Sequence, residues 1–72
     1  MNKKQLRSVM VLHDDTNQSL AEYLGITDST LSVKINETNG AEFTQGEIQK
    51  IINRYNLTPE QTILIFFNPE VS

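Results

Sequence analysis

TNQSLAEYLGITDSTLSVKI, residues 16–35, is the stretch that decides the fold. Its punctuation predicts two short helices joined by a tight turn. Thr16 is an N-cap residue, whose hydroxyl accepts from a free backbone N–H in the first turn of a helix running from Asn17 to Leu24. Leu20, Ala21 and Leu24 form the apolar stripe of that helix. Gly25 then offers a position open to positive φ, which ends a helix at little cost. Ile26 follows and turns into the core. Thr27 is the next N-cap, and a helix is predicted from Asp28 to about Asn36. Leu31 and Ile35, four apart, face inward. Asp28, Ser29, Ser32, Val33 and Lys34 are left outward or at the edges.

Working outward, Leu6, Val9, Met10 and His13 fall at i, i+3, i+4 and i+7 and predict a first helix over about residues 2–13. Asp14 and Asp15 disfavour the end of one helix and favour the start of the next, so they mark a boundary. On the other side, Glu37 to Glu42, ETNGAE, is a polar loop with an Asn-Gly turn signal. Thr44-Gln45-Gly46-Glu47 is a capping box, with Phe43 and Ile48 placed as its hydrophobic staple. That helix continues through Ile51 and Ile52 to about Tyr55. Thr58-Pro59-Glu60-Gln61 is a second capping box with proline at the first helical position. The fifth helix runs from Pro59 to about Phe67, and Pro69 stops it. No strand pattern competes. The expectation is an all-α, compact five-helix bundle built around a helix-turn-helix, as one domain over residues 1–72.

Composition bounds the function. A chain of 72 residues buries only roughly 60% of its unfolded surface, so its stability is marginal. It has no cysteine, which excludes disulfides and thiolate metal sites. The apolar stretch Val9 to Leu12 is too short for a signal-peptide core or a membrane span, and a cytoplasmic protein is expected. Six Lys and Arg face nine Asp and Glu, a net charge of −3. A nucleic-acid binder is expected to be basic, or to carry a basic face.

The residues Leu6, Thr16, Leu20-Ala21, Gly25-Ile26-Thr27 and Ser29-Thr30-Leu31-Ser32 resemble the phage repressor and Cro family of helix-turn-helix proteins. Lys34-Ile35-Asn36, Glu42-Phe43-Thr44 and Glu47-Ile48 are similar to small lysis–lysogeny switch regulators of temperate phages of Gram-positive bacteria. The resemblance covers about residues 6–67. It implies that the second helix lies across the DNA backbone and the third enters the major groove, usually within a symmetric dimer. It also implies base contacts from Asp28, Ser29, Ser32 and Val33, and phosphate contacts from Thr16, Asn17 and Lys34. Gln18 and Thr27 belong to the same surface.

Three departures from that pattern bear on the partner. The second helix begins Thr16-Asn17 where Thr-Gln is usual. Asp28 stands where Gln, Arg or Lys is common. The loop of Glu37, Asn39 and Glu42 is acidic where the family is often basic.

Two readings follow. In one, the chain is a switch regulator whose second- and third-helix surface binds operator DNA and also contacts a repressor: Asp accepts from cytosine N4 and Ser pairs with several bases, but Lys34 is the only cation on the outward face. Lys3, Lys4, Arg7, Lys50 and Arg54 would help only if the fold gathered them. In the other, the chain is an antirepressor, a modulator of repression that binds the phage repressor and masks its basic DNA-reading surface. Asp28, Glu37 and Glu42 would then imitate phosphates. Val11 and Leu12, out of register with the first helix's stripe, and Leu64 and Phe67, in the all-round apolar run Ile63 to Phe67, are expected at an apolar interface with a partner or in a homodimer. An enzyme is not expected. His13-Asp14-Asp15 points in different directions along a helix, and His13 is expected to be partly buried at a helix end. No metal, cofactor, small-molecule substrate or membrane is called for.

Overall fold

Each of the five helices among the described residues starts at a side chain that accepts from its first turn. Asn2 accepts from Gln5 N–H, Thr16 from Ser19, Thr27 from Thr30, Thr44 from Glu47 and Thr58 from Gln61. The structure, a computed structural model, describes residues 1–67, so Pro69 lies outside the described residues. The helices are α1 (Lys3–Leu12), α2 (Asn17–Leu24), α3 (Asp28–Ile35), α4 (Gln45–Tyr55) and α5, which begins at Pro59–Thr62 and continues as a π-helical turn over Ile63–Phe67. A short 3₁₀ turn at Thr38–Gly40 lies between α3 and α4. The expected all-α five-helix bundle is what the chain forms. No helix among the described residues is long and apolar enough to cross a membrane.

The α2–α3 unit forms as its punctuation requires. Gly25 sits at φ 75°, ψ 28°, and the N–H groups of Gly25 and Ile26 donate back to Glu22 and Ala21. A Cβ at Gly25 would meet nothing, so the constraint there is the left-handed backbone alone. An eight-residue helix such as α3 is too short to persist by propensity. Burial holds it: Leu31 and Ile35 are 0% and 1% exposed, and each buried side chain of this size stabilises by about 1.5–3 kcal/mol. Leu6 and Met10 of α1, Leu20, Ala21 and Leu24 of α2, and Ile51 and Tyr55 of α4 complete the centre of the core. Phe43, Leu57 and Ile65 close it from the loops and from α5. The Asn2 N–H donates to the Ile65 carbonyl at 2.7 Å and ties the start of α1 to the end of α5.

Two local readings are corrected. The first helix is shorter than residues 2–13, because Asn2 caps it and His13 ends it. His13 is exposed rather than partly buried. Past the helix the chain swings through Asp14, at φ 53°, to carry Asp15 toward α4. His13 is left with its ring 5.2 Å from that of Tyr55. The all-round apolar run of α5 divides as one core would divide it. Ile65 is buried and Phe66 half-buried, while Ile63, Leu64 and Phe67 are exposed.

Candidate recognition surface

The outward side of α2 and α3 presents Asn17, Gln18, Asp28, Ser29 and Val33 to solvent, with Ser32 half-buried at the edge. Thr16 and Thr27 are also exposed, but their hydroxyls are engaged as caps. Thr16 Oγ1 accepts Ser19 N–H at 3.1 Å and shares a hydrogen bond with the Ser19 hydroxyl at 3.0 Å. Thr27 Oγ1 accepts Thr30 N–H at 3.1 Å and donates to Thr30 Oγ1 at 2.8 Å. Asp28 lies in the first turn of α3, where the helix dipole favours an acid, so its placement stabilises the helix as well as charging the surface.

Lys34 departs from expectation. It is half-buried, and its Nζ donates to both carboxylate oxygens of Glu47, at 2.5 and 2.7 Å. The side chains retain only 17% and 12% of their exposure. Glu47 also accepts Thr44 N–H at 2.9 Å as the reciprocal half of the α4 capping box. Burial works to raise the Glu47 pKa, but the hydrogen bond and charge of Lys34 and the Thr44 N–H outweigh it and hold the carboxyl below its ordinary value. The one cation of α3 is thus neutralised within the fold.

Arg54 is withdrawn in the same way. Its Nε and Nη2 donate to Asp15 at 2.7 and 3.0 Å, and Tyr55 Oη donates to the same carboxylate at 2.5 Å. Its guanidinium carbon lies 4.7 Å from the centroid of the Tyr23 ring. The Arg54 hydrogen bonds lower the Asp15 pKa against the opposing effect of burial, and the Tyr55 hydroxyl and Thr16 N–H add to that lowering. Burial, reinforced by Asp15, raises the Tyr55 phenol. Sequence reasoning read Asp15 only as a helix boundary, and nothing local signals a partner 39 residues away. Lys3, Lys4, Arg7 and Lys50 have no ion pair among the described residues. All four lie on α1 or α4, not on α2 or α3.

Behind α3 the chain is acidic and turns sharply. Glu37 adopts φ 53° and Asn39 φ 54°, both left-handed, and Gly40 follows at 78°. Glu37 accepts from the Met1 amino group at 3.3 Å. Glu42 is exposed and has no ion pair or hydrogen-bond partner among the described residues. Here the end of α3, the loop and α5 enclose a cleft of about 250 Å³, lined by Phe43, Ile48, Phe66 and Phe67 with Glu37 and Glu42. The apolar interface candidates are all exposed: Val11 by 73%, Leu12 by 80%, Leu64 by 43% and Phe67 by 66%. Val11 and Leu12 line a shallow groove on α1 with Arg7 and Ser8, while Phe67 lines the α3–α5 cleft. No group of three or more His, Asp or Glu is placed to hold a metal ion among the described residues. The chain matches no family model, no curated protein and no solved structure.

Proposed function

We propose that this chain is a small transcriptional regulator of the antirepressor kind, which uses its α2–α3 surface to cover the basic DNA-reading face of a helix-turn-helix repressor. A temperate-phage lysis–lysogeny switch is the setting that the family resemblance suggests. One observation carries the reading: Glu47 neutralises Lys34, the only cation of α3. Phosphate neutralisation by Lys and Arg supplies most non-specific DNA affinity. A reading helix without a free cation, led by exposed Asp28 and followed by Glu42, which has no ion-pair partner among the described residues, suits a cationic protein better than a polyanion. The test is co-elution, at micromolar concentration, with the cognate helix-turn-helix repressor. A complex that excludes operator DNA is the expected result, and separate elution of the two proteins overturns the proposal.

Operator binding by the same surface is the second reading. It is favoured by the α2–turn–α3 geometry, which presents the N-terminal half of α3 with Asp28 and Ser29 exposed. Titration of labelled upstream DNA at low salt tests it, and the absence of any shift removes it.

A further inference from the structure

The cleft at the end of α3 combines an apolar floor with an acidic rim. Phe43 is buried, and Ile48 and Phe66 are half-buried beneath it. The Phe43 and Phe66 rings meet edge to face, 6.2 Å between centroids and 90° apart, so the floor is braced. Phe67 stands open at its edge. Two cations lie against it, but both are engaged: Lys34 by Glu47 and the Met1 amino group by Glu37. Glu42 has no partner among the described residues; with Glu47 counted beside Lys34, the charges in and against the cleft sum to one negative, and Glu42 is the unpaired one. A space of about 250 Å³ admits one long side chain.

We propose that this cleft takes an arginine side chain from the DNA-reading surface of the partner protein. This rests on the antirepressor reading above and names the contact within it. Arginine fits both halves of the site. Its aliphatic stem lies along Ile48 and Phe43, as long charged side chains cover apolar surface. Its guanidinium stacks against Phe66 or Phe67 and reaches the Glu42 carboxylate. An apolar side chain would leave the Glu42 charge unanswered, and a phosphate would meet it directly. The cleft is continuous with the recognition surface through Lys34 and Glu37, so one partner can span both.

Two measurements on the intact chain test this. In the first, Nα-acetyl-arginine amide is titrated at millimolar concentration, with the side-chain resonances of Phe43, Ile48, Phe66 and Phe67 followed by NMR. Progressive shifts are expected that the uncharged citrulline amide does not reproduce and that Glu42→Gln abolishes. Equal shifts with both compounds, or none with either, overturn the cleft. In the second, Glu42→Gln and Phe67→Ala, both at exposed positions, are expected each to weaken the repressor complex by about tenfold, or 1.4 kcal/mol. A complex that forms and is indifferent to both changes overturns the cleft while leaving the antirepressor reading intact. If no complex forms, that reading fails, and the NMR titration alone decides the cleft.

Discussion

Glu47 grips Lys34 with both carboxylate oxygens, across thirteen residues and from the first turn of the next helix. The same carboxylate closes the capping box on Thr44. One side chain therefore starts α4 and disarms α3. The two tasks are separable by chemistry, because the cap needs an acceptor while the pair needs a charge.

Glu47→Gln separates them. Gln61 performs the same cap at the start of α5, so glutamine suffices there. Lys34 is then free. Affinity for duplex DNA at low salt is expected to rise, with the slope of log K against log salt steepening by about one. The variant is expected to lose about 1 kcal/mol of stability with the ion pair. Anisotropy titrations at several salt concentrations measure the effect; an unchanged slope would show that Lys34 does not face phosphate even when released.

Acid unfolding is expected to centre on Asp15. Its folded-state pKa lies below the ordinary carboxylate value because Arg54 and Tyr55 bond the charged form. The stability this supplies is full above the unfolded-state pKa, near 4. It is lost as pH falls through the lower folded-state value. Asp15→Asn removes it at neutral pH, at a cost of about 2 kcal/mol, and flattens the acid limb. Urea melts between pH 7 and pH 3 give both numbers, and parallel curves for the two proteins would refute the assignment.

Glu37 illustrates a tension between stability and surface charge. It stands just past the end of α3 in a left-handed conformation that glycine adopts more readily. Glu37→Gly is expected to stabilise the fold by about 1 kcal/mol, less whatever the Met1 amine pair contributes. The same change removes an acid from the proposed partner surface, so thermal stability should rise while repressor affinity falls. A rise in both would remove Glu37 from the interface.

Asp28 discriminates the two proposed partners. Asp28→Lys is expected to weaken a repressor complex by about tenfold through like-charge contact and to strengthen DNA binding. If neither changes, the N-terminal end of α3 is not at the interface. Calorimetry with the repressor and anisotropy with DNA report the two arms.

What was legible in the chain was whatever local chemistry writes. Thr16, Thr27, Thr44 and Thr58 each accept from the residue three positions on, a relation contained within one turn. Leu31 and Ile35 share a face by helical geometry alone. His13 shared the α1 periodicity and still came out exposed, because the helix ends at Leu12 and the chain leaves through Asp14. The charge pairings are the least legible part of the sequence. Lys34 looked outward and Asp15 looked like punctuation until the fold set Glu47 and Arg54 beside them. Such pairings are settled by how helices pack, and spacing along the chain does not encode them.

The Asp15–Arg54 bond has a kinetic side. It joins the α1–α2 turn to the end of α4 across 39 residues, whereas each α-helix carries an N-cap bond within its own first turn. Closing so long a loop is entropically unfavourable until packing has brought its ends together. The bond is therefore expected to form after the rate-limiting barrier of folding. In stopped-flow experiments its removal should speed unfolding and leave the refolding rate nearly unchanged. For a chain with so small a core, this makes Asp15 a latch on the lifetime of the folded state.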